Sequence, residues 1–581
     1  MRKLSRYLKY FKKEVIIGPI FKLLEAVFEL MVPLVMASII DIGIKNGDKA
    51  YVLQKGGVIF LLGLCGLIFA LICQYSAAIA SQGVGTKLRN DLFKHINELS
   101  HGELDKIGTN SLITRITNDV DQIQLAVAML IRLTTRLPFL IIGATIMAMA
   151  LDLKLSLIFL IIAPIVSFVL YYVMNKSIPY YRIRQKKLDK LSLITRESLT
   201  GARVIRSFSK QEAEQRRYEN VNQEVTDVAI KVGKISAFLN PATFAILNIA
   251  IIAIIWFGGI RVDQGILTQG QVIAFANYMT QISLALVVVA HLVIIFTKAG
   301  ASATRINEIF DTIPTITGGT KVCKKGTPKL SLKNVSFSYP SSEKNVLTNI
   351  NLEVYKGETI GIIGGTGSGK STLINLLPRF YDVTEGEILL DGNPLYEYSL
   401  ESLRNKFGIV PQKAVLFYGT INYNLRWSKE DANDKEIIRA VEIAQAKEFI
   451  DKLPAKFEAI VMQGGKNFSG GQRQRLTIAR ALVGKPEILI FDDSSSALDY
   501  ATDANLRKAL KEQCKDATIF MVSQRANSIK QADKIIVLDE GLVVGMGKHD
   551  ELLESCDVYK EICLSQLSEK ELEEGKDNEN N

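Results

Sequence analysis

Six long apolar runs in the first half of the chain constrain its fold more than any other feature. They lie at roughly residues 15–40, 56–80, 128–150, 155–175, 240–262 and 271–297. A helix of about 20 mostly apolar residues crosses a bilayer core of about 30 Å. Packing in water does not require apolar runs of this length. The first half is therefore predicted to be an all-α membrane domain with six spanning helices in the lipid bilayer.

The distribution of basic residues predicts the orientation of these helices. The opening segment MRKLSRYLKYFKK is basic and amphipathic, and we expect it to lie along the inner membrane surface. Segment 176–239 is rich in arginine, and cytoplasmic loops carry such an excess. We therefore expect a multi-pass protein of the cytoplasmic (inner) membrane with its N-terminus inside. The tips of the long inner segments, near 99–108 and 209–220, are predicted to meet a cytosolic domain.

The composition excludes several other kinds of protein. The net charge of +10 follows from the positive-inside bias, so it does not indicate nucleic-acid binding. None of the six cysteines forms a pair with metal-ligand spacing, and two lie inside apolar runs. They are expected to be reduced packing residues of a cytosol-facing protein.

The second half has the composition of a soluble α/β protein, with charges spread throughout. We predict a membrane domain over 1–310 and a polar linker rich in glycine and proline over 311–328. A nucleotide-binding domain is predicted over 329–566, and an acidic disordered tail over 567–581.

A glycine-rich loop carries the first chemical signal of the second half. The β-type run GETIGII leads into it, and its residues are Gly364, Gly365, Thr366, Gly367, Ser368, Gly369, Lys370, Ser371 and Thr372. A helical pattern follows, and this strand–loop–helix context is that of a Walker A loop in an α/β P-loop NTPase. Lys370 is predicted to reach the β- and γ-phosphates of ATP, and Ser371 to ligate Mg²⁺.

Two further motifs complete the nucleotide machinery. The apolar strand pattern ILIF ends in Asp492, as in a Walker B strand that places its carboxylate on magnesium. Between the Walker motifs, a helix opens with a second predicted anion-binding nest. Its residues are Ser469, Gly470, Gly471 and Gln472. Because the Walker A loop already holds a nucleotide, this second clamp is expected to serve another chain's site. The sequence therefore predicts a face-to-face dimer in which each ATP lies between two chains.

These motifs, in this order, resemble the ATP-binding cassette family over nearly the whole chain. Tyr339 is similar to the aromatic residue that stacks on adenine, and Gln412 to the Q-loop residue that touches Mg²⁺. Asp499 is similar to the aspartate of the D-loop. The six spans fused ahead of the cassette resemble the exporter type. The resemblance implies a multidomain membrane protein with a type I exporter fold. Such a protein hydrolyses ATP and exports cargo by alternating access.

Two positions depart from the family pattern. Asp493 stands where the family has the glutamate that polarises water, and Gln524 stands where it has the switch histidine. One methylene less withdraws the carboxylate by ~1–1.5 Å, and such displacements cost about a hundredfold in rate. Glutamine cannot carry the charge of a protonated imidazole. Either change alone fits tolerated drift, but both together predict slow hydrolysis. The pattern resembles the degenerate-site subunit of bacterial heterodimeric multidrug exporters, which implies a second half-transporter with a competent site.

Polar residues inside the spans are candidates for substrate contact. Lys22, Glu25 and Glu29 share one helical face, where they could line a cavity for cationic molecules. The alternative is a Lys22–Glu25 ion pair with Glu29 facing water. His291 is a further candidate, and a packed, hydrogen-bonded histidine is its alternative. The expected cargo is an amphipathic small molecule, with peptides or lipids as alternative cargoes. A rival function is that of an ATP-gated channel or sensor.

Overall fold

In the computed structural model of the protein, the described residues are 3–323, 329–339, 342 and 344–566. The chain divides into two compact units, Met1–Asn97 with Asn110–Thr312, and Glu98–Thr109 with Ile313–Asn581. Part of the predicted linker, 324–328, and the predicted acidic tail, 567–581, lie outside the described residues. The predicted domain boundaries stay predictions.

The first unit is helical, and its long helices agree with the apolar runs. Among the described residues, six helices are long and apolar enough to cross a membrane: α1 (Leu4–Ile44), α2 (Lys49–Glu98), α4 (Thr109–Leu151), α5 (Leu153–Thr200), α7 (Gln211–Asp263) and α8 (Gln269–Asp311). Two short helices connect long ones: α3 (His101–Ile107) and α6 (Ala202–Ser207). The predicted number of spanning helices is thus confirmed by their length and composition.

Small residues allow the spanning helices to approach each other closely. A Cβ atom on Gly18 of α1 would lie 2.4 Å from a methyl carbon of Ile131 in α4. A Cβ atom on Gly270 of α8 would lie 2.4 Å from the carbonyl oxygen of Ala37 in α1. Such contacts stabilise helix pairs in lipid, where burial of apolar surface gives little driving force. The α1, α4 and α8 helices therefore form a tightly packed core.

The described part of the second unit contains two larger sheets and a short two-stranded one. The strands are β1 (Leu330–Phe337), β2 (Leu347–Val354), β3 (Thr359–Gly364), β4 (Glu385–Leu390), β5 (Asn393–Pro394), β6 (Phe407–Val410), β7 (Gly419–Thr420), β8 (Ile460–Val461), β9 (Ile488–Asp492), β10 (Thr518–Val522), β11 (Lys534–Asp539) and β12 (Leu542–Gly547). One sheet has the order β2-β1-β4-β5 and is antiparallel. The other has the order β12-β11-β3-β10-β9-β6, in which only β12 runs antiparallel to its neighbour.

Helices surround these sheets. They are α9 (Lys370–Leu376), α10 (Leu400–Arg404), α11 (Ile421–Leu425), α12 (Asp434–Ile443), α13 (Lys447–Asp451), α14 (Gly470–Val483), α15 (Tyr500–Gln513), α16 (Ala526–Ile529), α17 (His549–Ser555) and α18 (Asp557–Leu564).

The parallel strands determine where functional residues meet. Strands β3, β9 and β10 are adjacent and consist mainly of buried apolar residues, as expected for strands covered on both faces. Their carboxyl ends lie at one edge of the sheet, which is where ligands bind in open α/β sheets. The Walker A loop follows β3, Asp493 follows β9, and Gln524 lies two residues after β10.

Candidate nucleotide-binding and catalytic site

The glycine-rich loop between β3 and α9 curls around a lysine ammonium group. Nζ of Lys370 donates hydrogen bonds to the carbonyl oxygens of Gly364 at 2.9 Å and Gly365 at 2.5 Å. Lys370 is 9% exposed, and burial lowers the pKa of its ammonium group. Gly367 has a φ of +85°, and a Cβ atom there would meet nothing within 4 Å. The loop thus has open space beside its backbone.

This arrangement fits a nucleotide phosphate. The buried ammonium group bonds only to neutral oxygens of the loop among the described residues, namely two carbonyls and the hydroxyl of Ser368 at 3.4 Å. An anionic phosphate oxygen is a stronger partner for a buried cation than a neutral carbonyl. Lys370 would therefore hold the phosphates of ATP.

The candidate magnesium ligands lie side by side at the ends of α9 and β9. The hydroxyl of Ser371 donates a hydrogen bond of 3.0 Å to Oδ1 of Asp492. Burial raises the pKa of the Asp492 carboxyl group, and the neighbouring charge of Asp493 adds to the rise. A divalent cation would offset both effects, since hydroxyl and carboxylate oxygens are ligands that Mg²⁺ accepts. The residue set fits the predicted Mg²⁺.

Asp493 lies at the centre of the candidate catalytic residues. It adopts a left-handed backbone conformation with a φ of +45° and is 7% exposed. Its Oδ2 atom accepts hydrogen bonds from Nε2 of Gln524 at 3.1 Å and Nε2 of Gln412 at 3.4 Å. Burial raises the pKa of its carboxyl group. The structure thus brings together Asp493, Gln524 and Gln412, which are far apart in sequence.

Tyr339, the candidate adenine-stacking residue, lies beside the Walker A helix. Its hydroxyl is 3.0 Å from Oγ1 of Thr372, and its ring packs edge-on against Phe337 and Tyr381. Asp499 lies outside this group. Its carboxylate caps α15 by accepting a hydrogen bond of 2.9 Å from the backbone N–H of Thr502.

The signature residues cap a helix and stay separate from the Walker residues. The Ser469 hydroxyl accepts a hydrogen bond from the N–H of Gln472 at 3.2 Å, and the Gln472 side chain accepts one from the N–H of Ser469 at 2.9 Å. Ser469 and Gly470 are exposed. In the described part of the chain, no hydrogen bond joins Ser469–Gln472 to Lys370 or Asp492. The predicted sandwich with another chain stays a prediction.

The charged candidates in the first span are paired. Nζ of Lys22 lies 2.6 Å from a carboxylate oxygen of Glu25, as the ion-pair alternative predicts. Glu29, which that alternative expects to face water, is 37% exposed, and its carboxylate also lies 2.6 Å from Nη2 of Arg136 in α4. Arg136 was not found from the sequence, since the contact joins residues 107 positions apart.

His291 differs from the expected packed histidine. It is exposed on α8 and makes no hydrogen bond to another described residue. Within the described part of the chain, the expectation of a packed, hydrogen-bonded histidine is therefore wrong. Its role in substrate contact stays a proposal.

One inner tip contacts the nucleotide-binding domain within the second unit. The ring of His101 in α3 stacks on Phe380 with centroids 4.5 Å apart. The hydroxyl of Tyr381 donates a hydrogen bond of 2.7 Å to Asp105. The sequence predicts this tip at 99–108 but not its partners, because Phe380 and Tyr381 belong to no nucleotide motif.

Comparison with known proteins defines the class to which this fold and site belong. The family described as ABC transporter transmembrane region matches residues 15–286, and the family described as ABC transporter matches residues 347–496. The putative multidrug export ATP-binding/permease protein YgaD of Bacillus subtilis is 32% identical over 97% of this chain and 98% of that protein. An ATP-dependent lipid A-core flippase of Vibrio vulnificus is 29% identical over 98% of both. The chain therefore belongs to the ABC transporter family.

A solved structure defines the fold more closely. A bacterial Atm1-family ABC exporter with ATP bound superimposes with a TM-score of 0.82 at 24% identity, over 96% of this chain and all of that chain. The protein has the fold of an exporter-type half-transporter, with six spanning helices and one α/β nucleotide-binding domain. The predicted family and fold class are confirmed. It is a multi-pass membrane protein whose nucleotide-binding domain is cytoplasmic.

Proposed function

We propose that this chain is the slowly hydrolysing subunit of a heterodimeric exporter in the cytoplasmic membrane. It binds ATP and Mg²⁺ through Lys370, Ser371 and Asp492, and its partner is a second ABC half-transporter. The main hydrolysis takes place at the partner's Walker site. The cargo is an amphipathic small molecule.

The observation that carries this proposal is the environment of Asp493. Both hydrogen bonds to its carboxylate come from neutral amides, those of Gln524 and Gln412, and both reach the same oxygen. Two amide donors therefore hold Oδ2, which leaves Oδ1 to accept a proton from water. A general base must lie within hydrogen-bond reach of the proton that it abstracts. The shorter aspartate and the missing imidazole both reduce hydrolysis at this site.

The remaining parts of the site support nucleotide binding. ATP supplies the free energy of the transport cycle, and Mg²⁺ neutralises the developing charge on its phosphates. Lys370 holds the phosphates by its buried ammonium group, and Tyr339 provides an aromatic face beside the Walker A helix. Ser469–Gln472 is proposed to complete the partner's site. In an asymmetric heterodimer, one subunit is expected to retain these binding residues but to lack the glutamate and histidine.

Transport is proposed to occur by alternating access. Closure of two nucleotide-binding domains on each other moves the inner segments, and α3 carries that movement through its contacts with Phe380 and Tyr381. The name of the Bacillus subtilis relative favours amphipathic small molecules. The name of the Vibrio vulnificus relative favours a lipid as second candidate.

Transport by the assembled complex tests the proposal. Inverted vesicles that contain this chain and a second half-transporter are expected to accumulate an amphipathic dye when ATP is added. The same vesicles without ATP are the control, since ATP supplies the free energy of transport. Translocation of a fluorescent lipid without dye uptake would favour the lipid candidate. Passive ion conductance without accumulation of either would contradict a pump.

A further inference from the structure

The C-terminal helix of the described chain is anchored in the same apolar cluster as the loop after β10. Tyr559 of α18 is fully buried, and its hydroxyl lies 2.7 Å from Nδ1 of His549. Tyr559 and Cys563 share this cluster with Ala526 and Ile529 of α16. Since α16 begins two residues after Gln524, α18 and the loop that carries Gln524 are packed as one body.

A single side chain at the end of this helix binds the loop. Nε2 of Gln566 donates a hydrogen bond of 2.6 Å to the carbonyl oxygen of Gln524. Oε1 of the same amide accepts a hydrogen bond of 2.9 Å from the backbone N–H of Ala526. The amide therefore bridges the backbone on both sides of Arg525. A carboxamide carries a donor and an acceptor together, so most other side chains cannot make both bonds.

The opposite side of the loop is held as well. The guanidinium group of Arg525 lies over the ring of Tyr500, 4.9 Å from its centroid. Tyr500 is the first residue of α15, directly after Asp499. The loop is thus held between α15 and Gln566, and the Gln524 side chain reaches Asp493 from this position.

We propose that Gln566 is a positioning residue, which fixes the backbone of Gln524 and so directs the Gln524 amide toward Asp493. It links the C-terminal end of the described chain to the nucleotide site. No nucleotide motif contains Gln566. The inference rests on the proposed function in one respect, namely the assignment of Gln524 to the nucleotide site.

Hydrogen exchange in the nucleotide-free, full-length protein tests the contact directly. The Ala526 amide is expected to exchange about tenfold faster in Gln566→Leu than in the parent, because it loses its acceptor. Ser565→Ala is the matched control, since among the described residues the Ser565 hydroxyl donates a hydrogen bond to Ile562 within its own helix turn. A chain ending at Gln566 should exchange like the parent, and one ending at Leu564 like Gln566→Leu. Unchanged exchange in both Gln566→Leu and the chain ending at Leu564 would overturn the proposal, as would faster exchange in the chain ending at Gln566.

Kinetics separate positioning from general stability. Gln566→Leu is expected to lower single-turnover hydrolysis about threefold to tenfold, while the Kd for ATP changes less than about twofold, because the binding residues are untouched. Faster Ala526 exchange with an unchanged hydrolysis rate would overturn the positioning role, and so would an equal loss of ATP affinity. Brisk hydrolysis by the parent would contradict the proposed function but would leave this inference standing.

Discussion

The side-chain amide of Gln524 donates a 3.1 Å hydrogen bond to Oδ2 of Asp493, and it stands where the family pattern has an imidazole. The two departures from the family pattern are therefore in direct contact with each other. A neutral amide binds the carboxylate without adding a positive charge to the site.

Acidity should affect stability through Asp493. Burial raises the pKa of this carboxyl group above its unfolded value, so its ionised form is disfavoured in the folded protein. The resulting loss of stability is fully present above the folded pKa and disappears as the pH falls through it. Asp493→Asn is therefore expected to melt at an equal or higher temperature than the parent near neutral pH, with a smaller difference at acidic pH.

Thermal unfolding without nucleotide at both pH values checks this prediction. Asp499→Asn is the matched control, because hydrogen bonds from Thr502 lower the pKa of that exposed carboxyl group. A lowered folded pKa gives stability that is present above the unfolded pKa and lost as the pH falls. A clear loss of stability in Asp493→Asn near neutral pH would contradict the prediction.

The hydrogen bond between Tyr381 and Asp105 should couple nucleotide chemistry to transport. Tyr381→Phe removes the hydroxyl and leaves the partly buried ring in place. We expect transport by the assembled complex to fall several-fold, because the change removes a hydrogen bond to a charged group, which contributes about 1.5–3 kcal/mol. Nucleotide binding should stay within about twofold, since no phosphate-binding residue changes.

Tyr355→Phe is the control for this change. The Tyr355 hydroxyl also donates to a carboxylate, that of Glu353, but on the surface of the nucleotide-binding domain. It should leave transport unchanged. If Tyr381→Phe transports as well as the control, α3 does not transmit force through this bond.

The fold and most of the candidate site could be predicted from the sequence, because their signals are local. The apolar runs predicted the spanning helices, and the nucleotide motifs predicted that Lys370 binds the phosphates while Ser371 and Asp492 ligate Mg²⁺. The ion pair of Glu29 with Arg136 and the contact of Gln566 with Gln524 could not be predicted in this way. Each joins residues on elements whose relative position is set by tertiary packing, and neither leaves a spacing signal along the chain.

The ion pair between Glu29 and Arg136 should stabilise the contact of α1 with α4. Glu29→Ala leaves an arginine without its partner inside the membrane unit, and we expect a loss of about 1–2 kcal/mol because the pair is only partly buried. Exchange of the two residues, Glu29→Arg with Arg136→Glu, should recover most of the loss. Thermal unfolding in detergent measures both effects.

A surface pair provides the control for this prediction. Glu212 and Arg216 are both largely exposed at a separation of 3.5 Å. Glu212→Ala should change stability by less than about 0.5 kcal/mol, as exposed ion pairs do. Equal effects of Glu29→Ala and Glu212→Ala would show that the pair in the spans is structurally unimportant.

The central claim is tested most directly by ATP hydrolysis of the chain purified without a partner, beside the variant that carries Asp493→Glu and Gln524→His. The account predicts slow turnover by the parent and a rate about 10–100-fold higher in the variant, because the longer carboxylate and the imidazole restore the missing groups. Tight ATP binding should be the same in both. Brisk hydrolysis by the parent, or equal slow rates in the two proteins, would contradict the account.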